Sequence, residues 1–239
     1  MSVTARYRQA WEEFWREAPR EPGAVFWDAE PALTAGVHVA HFEPLLPDAS
    51  LPMVDLGCGS GTQTGFLAER FPRVVGVDLA AAAVARARRA DPGGRADYRV
   101  LDASDKTAAQ ALRAELGDCN VYVRGVLHHC DPDDRQQLVD TLAVLAGDRG
   151  RAFLVEPTGA AGPLLRRLAQ DGTAPKLDRV LRHGITPDGV PDEAVRRHLL
   201  SAGLRILAAG ELPMTTTELT DSGTRVVLPS KWVVAGRAG

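Results

Sequence analysis

A short apolar segment followed by three closely spaced glycines constrains this chain more than any other feature. Residues 53–56 read Met-Val-Asp-Leu, and Gly57, Gly59 and Gly61 follow at alternate positions. Glycine lets a backbone turn tightly and approach a ligand without a Cβ in between. The apolar face of a helix begins at Phe66. The pattern predicts a buried strand, a tight turn and a helix whose first amide groups face a ligand.

The spacing of these glycines separates two kinds of ligand. The nicotinamide and flavin fingerprint has its third glycine at the sixth position, but the sixth position counted from Gly57 is Thr62. A nicotinamide oxidoreductase is therefore disfavoured. Asp55, two residues before Gly57, suits an ammonium group better than a phosphate. The alternative is a glycine turn that only changes the chain direction.

This stretch resembles the first motif of the class I S-adenosylmethionine-dependent methyltransferases. The resemblance covers roughly residues 53–156 and implies S-adenosylmethionine as cofactor and S-adenosylhomocysteine as product. It also implies that the carboxylate before the turn lies near the ammonium of the cofactor. The residues that it assigns to the cofactor at this turn are Asp55, Gly57, Cys58, Gly59, Gly61 and Thr62.

Two further acids follow predicted strands. Asp78 ends the β-branched run 74–78, where a carboxylate suits the ribose hydroxyls, although it could instead cap the next helix. Asp102 ends a strand at about 96–101. The resemblance implies that Leu79 packs on adenine, that Asp102 accepts a hydrogen bond from the adenine amino group, and that Ala103 lies beside it. Capping of the following helix is the alternative for Asp102.

The exit of the fourth strand, residues 121–129, supplies candidates for the methionine end and for proton transfer. The resemblance implies that the backbone at Arg124 and Gly125 lines the methionine portion. Arg124 departs from the small or amide residue often found there, and is a candidate partner for Asp55 or for a carboxylate on the substrate. His128 and His129 are candidate general bases, because imidazole titrates in the required range. His129 is the stronger candidate, and packing is the alternative for both.

Three more segments carry candidate substrate contacts. Glu156, at the end of a fifth strand, could orient an amine or assist a base, or simply cap. Phe26 and Trp27 lie in a loop and could close over a ring or a cation, whereas Trp11 and Trp15 are assigned to ordinary packing. In a predicted insertion at 158–190, His183 could face the acceptor. A solvent-exposed position near the C-terminus of a helix is the more common interpretation for such a histidine.

Together these elements predict a fold. We expect an α/β, Rossmann-like, doubly wound and mostly parallel seven-stranded sheet with an antiparallel last strand. Residues 1–48 form an N-terminal helical segment or lid. Residues 49–239 form the cofactor-binding domain, with the cap insertion after the fifth strand. Residues 204–207, then either 225–228 or 232–235, are expected as the last strands, with an excursion at 213–223 between them.

Composition narrows the class of function. The net charge of −3 and the lack of a basic run disfavour nucleic acid as a partner. No stretch has the roughly 18 apolar residues of a membrane span, and the N-terminus carries acids and lacks an apolar signal core. The 3 cysteines are unevenly spaced and form no CxxC motif. This pattern fits a protein of the reducing cytoplasm that has neither disulfides nor a zinc site. We expect a cytoplasmic monomer or homodimer.

The sequence therefore predicts a methyltransferase acting on an oxygen or nitrogen of a small-molecule acceptor, in antibiotic or other secondary metabolite biosynthesis. One alternative is a carbon or protein methyltransferase, or a non-methylating enzyme that uses the same cofactor. A non-catalytic binding subunit is the other alternative, and the intact glycine motif and Asp78 argue against it.

Overall fold

The computed structural model describes residues 3–185 and 189–237. Its strands are β1 (Met53–Leu56), β2 (Val74–Asp78), β3 (Asp97–Val100), β4 (Asn120–Arg124), β5 (Ala152–Pro157), β6 (Arg205–Glu211), β7 (Met214–Leu219), β8 (Arg225–Leu228) and β9 (Ser230–Gly236). Its α-helices are α1 (Val3–Glu17), α2 (Ala35–Phe42), α3 (Thr62–Ala68), α4 (Ala81–Ala90), α5 (Lys106–Leu116), α6 (Arg135–Ala146), α7 (Ala161–Gln170), α8 (Pro175–Arg182) and α9 (Asp192–Ser201).

Seven strands form one sheet in the order β3-β2-β1-β4-β5-β9-β6. The first five strands pair in parallel, and β9 runs antiparallel between β5 and β6. The predicted Rossmann-like sheet with an antiparallel last strand is therefore confirmed. Because the chain reverses its direction of winding between β1 and β4, the carboxyl ends of these strands flank the crevice where open α/β sheets bind ligands.

The sheet lies between two helical layers, as the near-continuous apolar strands require. Along β4, Tyr122 packs into the core on one face, while Val121 and Val123 pack into the core on the other. The Tyr122 face carries Phe14 of α1 and Phe42 of α2, and the opposite face carries α5, α6 and α9. This alternation of side chains along the strand gives the doubly wound architecture its two cores.

Two elements are shorter than local sequence signals alone would suggest, and each has a backbone reason. In the N-terminal helical segment, α2 is flanked by 3-10 turns, and Pro44 stands where a longer helix would need an amide donor. The expected fourth strand stops at Arg124, because Gly125 turns with a φ of 65° into a 3-10 turn over 127–129. That turn carries both candidate histidines.

A separate two-stranded hairpin, β7 and β8, is inserted between β6 and β9. The predicted excursion therefore forms a hairpin of its own, and 232–235 rather than 225–228 belongs to the main sheet. The amide of Thr217 on β7 donates to the carbonyl of Phe26 at 2.8 Å. Glu218 accepts the amide of Lys176 at the start of α8 at 2.8 Å. The hairpin thus joins the N-terminal loop to the predicted insertion.

The insertion at 158–190 contains α7 and α8, and its residues 186–188 lie outside the described part of the chain. Within residues 3–185 and 189–237, no helix combines the length and the apolar character that a membrane crossing requires.

Candidate active site

A cavity of about 170 Å³ opens at the carboxyl ends of β1, β2 and β4. The glycine turn forms its floor, and Gly57, Gly59 and Gly61 all adopt positive φ values of 79°, 54° and 82°. Other residues rarely adopt this conformation. Of the residues assigned to the cofactor from the sequence, ten line the cavity: Asp55, Gly57, Cys58, Gly59, Asp78, Leu79, Asp102, Ala103, Arg124 and Gly125.

Gly61 and Thr62 lie outside this cavity, in a different surface depression. A Cβ on Gly61 would stand 2.9 Å from Cβ of Ala87 and 3.0 Å from the ring of Tyr98. The close packing of α3 against α4 and β3 therefore requires this glycine. Thr62 is the first residue of α3, and its hydroxyl hydrogen-bonds that of Ser60 at 3.0 Å. Neither residue lines the cavity, and their assignment to the cofactor stays a prediction.

Asp55 lies on β1 beneath the turn and is 3% exposed. Its carboxylate accepts a hydrogen bond from the hydroxyl of Thr64 at 2.6 Å. Burial raises the pKa of Asp55 to about 7, against the opposing effect of Thr64 and with a further rise from Asp78. A cationic group placed in the cavity would favour the ionised form, so this carboxylate suits an ammonium ligand.

Asp78 and Asp102 present the other two acids. Asp78 accepts the amides of Gly59 and Ala80, both at 2.9 Å, and burial raises its pKa to about 6. Asp102 accepts the amide and the hydroxyl of Ser104 at 2.9 and 2.6 Å, and it also forms an ion pair with Arg8 of α1. The acid expected to meet adenine thus has a protein partner from the N-terminal helix.

The face of α1 forms the roof of the cavity. Tyr7, Trp11 and Trp15, spaced four residues apart, all line it. The ring of Trp15 lies so close that a Cβ on Gly59 would meet its Cζ2 at 2.8 Å. Sequence analysis assigned Trp11 and Trp15 to ordinary packing. The spacing of the three aromatic residues was the signal that could have placed them at the site.

A second, smaller cavity of about 30 Å³ adjoins the first. Trp27, Arg124, Gly125 and His129 line both cavities. The remaining lining of the second cavity is mainly apolar and comes from the N-terminal loop, the 3-10 turn after β4, α7, α8 and the hairpin: Phe26, His128, Leu165, Leu177, Val180, Met214, Thr216 and Leu228. The predicted substrate contacts Phe26 and Trp27 are therefore both in this wall.

His183, the third predicted substrate contact, lines neither cavity. Its ring packs edge-on against Phe14 at 5.7 Å, and its Nε2 lies 3.3 Å from a carboxylate oxygen of Glu17. Because the side chain is only 10% exposed, the alternative of a solvent-exposed position is incorrect. His183 attaches α8 to α1 instead.

Glu156 holds the turn that carries the histidines and is 5% exposed. One oxygen accepts the amides of Val126 and Leu127 at 2.8 and 2.9 Å. The other accepts the amide of His128 at 3.3 Å and lies 2.9 Å from its Nδ1. A neutral ring that donates from Nδ1 to the carboxylate presents an unprotonated Nε2. The geometry therefore gives His128 the arrangement of a general base.

His129 has a different environment. Its ring lies 4.9 Å from Trp11 and 5.9 Å from Trp27, and its buried Nδ1 has no hydrogen-bond partner among the described residues. Burial, and then the neighbouring His128, lowers the pKa of His129 well below its usual value. The sequence favoured His129 as the base, but the carboxylate partner belongs to His128.

Arg124 is half-buried and lies between the two cavities. Its guanidinium donates to the carbonyl oxygens of Trp27 and Thr215, both at 2.9 Å, and its Nε has no partner among the described residues. The carboxylate of Asp55 forms no hydrogen bond with it within residues 3–185 and 189–237. Of the two partners expected for Arg124 from the sequence, only a substrate carboxylate stays a prediction.

The lining fits S-adenosylmethionine on the chemistry of its donor set. A buried carboxylate that lacks a cationic hydrogen-bond partner meets the need of an ammonium, and Asp78 can accept from two hydroxyls. Gly57 and Gly59 place no Cβ atoms on the floor, and Leu79 and Ala103 give apolar surface beside Asp102. In the described part of the chain, no group of three or more His, Cys, Asp or Glu side chains could hold a metal ion.

Comparisons with known proteins agree with this fit. A family model described as a methyltransferase domain matches residues 53–150. A crystal structure of an S-adenosylmethionine-dependent methyltransferase from Anabaena variabilis superposes with a TM-score of 0.89 at 29% identity, over 100% of this chain and 96% of that one.

Two curated relatives are both named trans-aconitate 2-methyltransferase. The protein from Streptomyces avermitilis is 41% identical over 94 residues, which is 37% of this chain and 34% of the relative. The protein from an Acidovorax species is 41% identical over 134 residues, which is 46% of this chain and 52% of the relative. The chain thus spans about a third to a half of the length of these relatives.

Proposed function

We propose, from the membership of this chain in the class I S-adenosylmethionine-dependent methyltransferases, that it transfers a methyl group to an oxygen or nitrogen of a small molecule. One observation carries the proposal. The cofactor cavity and a smaller, mostly apolar cavity share a wall of four residues, and a histidine held by a buried carboxylate lines the smaller one. This arrangement suits transfer between two ligands at one point.

Each part of the cofactor has a residue to hold it under this proposal. Asp55 takes the ammonium and Asp78 the ribose hydroxyls, while Asp102 and Leu79 take the amino group and the ring of adenine. Trp11 and Trp15 exclude water from above. The chemistry that S-adenosylmethionine supplies when bound is an electrophilic methyl group carried on a sulfonium.

The chain itself handles the acceptor and its proton. Phe26 and Trp27 hold the acceptor against the shared wall, so that the reacting atom is positioned for in-line attack. His128 removes the acceptor proton at Nε2, because Nδ1 is occupied by Glu156. Glu156 fixes the tautomer and the position of His128, and it also holds the turn through three backbone amides.

The smaller cavity favours an acceptor with an apolar body. Its wall includes the aliphatic side chains of Leu165, Leu177, Val180 and Leu228. Apart from the two histidines, Arg124 is the ionisable side chain among the lining residues. Trans-aconitate, named in both curated relatives, carries three carboxylates, and this lining offers one arginine for them. We therefore place a small, mostly apolar molecule ahead of trans-aconitate as the acceptor.

The setting of the reaction is also part of the proposal. A cap built from the insertion and the hairpin, outside the main sheet, suits an acceptor of antibiotic or other secondary metabolism. The three cysteines are free thiols, in keeping with a reducing cytoplasm. A monomer or a homodimer, without nucleic acid or membrane partners, remains our prediction.

The experiment combines binding with product detection. Calorimetric titration with S-adenosylhomocysteine should show micromolar binding that Asp78→Ala abolishes. Incubation with methyl-labelled S-adenosylmethionine and a panel of alcohols, phenols, acids, amines and trans-aconitate should give one S-adenosylhomocysteine per methylated product. Lack of binding by the folded wild-type protein would refute the proposal, as would cofactor turnover that leaves no labelled product.

A further inference from the structure

We propose that Arg124 and His129 form a binding site for a negatively charged oxygen of the acceptor. The methylated atom is then the oxygen of a carboxylic acid, an enol or a phenol, and not an amine nitrogen. This inference rests on the proposed methyltransferase function and narrows its acceptor class.

The first observation is that Arg124 is half-buried and has no anionic hydrogen-bond partner in the described residues. Both of its acceptors, the carbonyls of Trp27 and Thr215, are neutral, and its buried Nε has no partner there. A guanidinium keeps its charge in proteins, and withdrawing a charge from water without a counter-ion is unfavourable. An anion delivered by a ligand would supply the missing partner.

The acids whose charges act on Arg124 are each bonded elsewhere. Asp28 accepts the hydroxyl of Ser60 at 2.6 Å, and Asp55 accepts that of Thr64 at 2.6 Å. Glu156 accepts the amides of the turn over 126–128 and faces His128. None of the three is therefore committed to the guanidinium.

The second observation is the position of the unpaired Nε atom. Arg151 also has a buried Nε without a described partner, but it precedes β5 at the opposite end of the sheet and lines neither cavity. Arg124 lines both. An unpaired donor next to a ligand cavity can gain its partner from the ligand, whereas the donor on Arg151 has no such source.

The third observation is the charge of the acceptor cavity. Its lining residues include no aspartate or glutamate, and burial keeps His129 neutral. A protonated amine would face Arg124 without a compensating carboxylate. An acidic hydroxyl would ionise more readily, because a nearby cation lowers its pKa. His129 can donate a second hydrogen bond to the oxygen from its unpaired Nδ1, if the ring carries its proton there.

Two anions could meet this arginine: an oxygen of the acceptor, or the carboxylate of the methionine portion of the cofactor. The test separates them with matched ligands. Protein saturated with S-adenosylhomocysteine is titrated with butyrate and with butylamine, and binding is followed by tryptophan fluorescence, since Trp27 lines the cavity. Free protein is titrated with S-adenosylhomocysteine and with methylthioadenosine, which lacks the amino-acid portion.

The variants are Arg124→Gln and Arg124→Lys, with Arg151→Gln as the matched control, and thermal melting checks that each is folded. We expect butyrate to bind the wild type at least tenfold more tightly than butylamine. Arg124→Gln should weaken butyrate binding at least tenfold, and Arg124→Lys at least threefold. Arg151→Gln should leave it unchanged. If Arg124→Gln fails to fold, the lysine variant decides the result.

Three outcomes would overturn the inference. The wild type could bind butylamine as tightly as butyrate or more tightly, or its butyrate binding could be absent or unchanged in both Arg124 variants. The Arg124 variants could also lose S-adenosylhomocysteine binding while they still bind methylthioadenosine. The last outcome would assign Arg124 to the cofactor carboxylate. In each of these cases the methyltransferase proposal stands. Failure of the folded wild type to bind S-adenosylhomocysteine would instead refute that proposal.

Discussion

Replacing Glu156 by glutamine tests whether one buried carboxylate both holds the turn after β4 and sets the protonated nitrogen of His128. The carboxylate accepts four hydrogen bonds, from three backbone amides at 2.8, 2.9 and 3.3 Å and from Nδ1 of His128 at 2.9 Å. Glutamine keeps one oxygen and turns an amide NH₂ group toward the other donors. The substitution therefore changes charge and hydrogen bonding with little change in volume.

The magnitude follows from those bonds. A hydrogen bond to a charged group contributes about 1.5–3 kcal/mol and a neutral one about 0.5–1.5 kcal/mol. The two hydrogen bonds that the amide oxygen of glutamine still accepts each weaken by about 1 kcal/mol. Loss of the hydrogen bond from the backbone amide of His128 removes about 1 kcal/mol more. The lower cost of burying a neutral side chain offsets part of this loss. We expect the free energy of unfolding to fall by about 2–3 kcal/mol and the Tm by about 5–10 °C.

The chemical effect is separate from the loss of stability. The amide NH₂ group donates toward Nδ1, so the proton of the neutral His128 ring moves to Nε2 and the base is lost. Histidine ¹⁵N NMR should report this change of tautomer. With an acceptor that must lose its proton, such as a phenol or an enol, methyl transfer should slow by about 100-fold or more, as for loss of a general base, with S-adenosylhomocysteine affinity within about twofold of wild type.

Glu218→Gln is the matched control. Glu218 is also buried and accepts the backbone amides of Lys176 and Leu177 at 2.8 and 3.4 Å, but the described structure shows no histidine bonded to it. It should lower stability by a similar amount without changing the histidine spectrum. An unchanged tautomer in Glu156→Gln, or an unchanged Tm, would refute our account of this carboxylate.

Three further predictions test the cofactor cavity. Burial raises the pKa of Asp55 to about 7, so the folded protein binds more protons than the unfolded chain from about pH 4 to about pH 7. The free energy of unfolding should therefore fall as the pH rises through this window. Asp55→Asn should flatten this pH dependence, as measured by denaturant titrations at several pH values. Arg8→Ala should tighten S-adenosylhomocysteine binding by about two- to fivefold, because it removes an ion pair of about 0.2–1 kcal/mol that competes for Asp102; Arg70→Ala, which breaks the ion pair with Glu43, is the control, and weaker binding in Arg8→Ala would contradict the expectation. Gly61→Ala should lower the free energy of unfolding by about 3 kcal/mol, since the new Cβ would overlap Ala87 and the positive φ adds strain. Gly172→Ala is the control, because Gly172 has a positive φ but nothing within 4 Å of the new Cβ, and it should cost about 1 kcal/mol. Equal losses of stability in chemical denaturation would contradict the packing role of Gly61.

The cofactor half of the molecule was largely predictable because its signals are local. Asp55, Asp78 and Asp102 each end or adjoin a strand of a parallel sheet, and parallel strands bring their carboxyl ends to one edge. Three spacings along the chain were enough to place these acids around one cavity. Gly61 was the exception, since its requirement comes from the distant Tyr98 rather than from a ligand.

The acceptor half was not predictable because long-range packing determines it. The choice between His128 and His129 depends on Glu156, a buried acid 28 residues away from His128. The roof of the cavity depends on α1 docking across the sheet edge, where Glu12 accepts the amide of Ala82 at 3.0 Å. The residue pattern of the turn after β4 does not indicate that Glu156 will contact it, and the pattern of α1 does not indicate where that helix will dock. The spacing of the aromatic residues in α1 indicates only which face of the helix is apolar.

The hairpin of β7 and β8 has a consequence for how such an enzyme diverges. β6 and β9 pair directly with each other, so the main sheet is complete without the residues between them. Those residues nevertheless supply Met214, Thr216 and Leu228 to the smaller cavity. Insertions, deletions or exchange of this hairpin can therefore change the pocket while the strand ladder and the glycine turn stay as they are. If the smaller cavity holds the acceptor, as we propose, the hairpin is an exchangeable module for acceptor choice on an unchanged sheet.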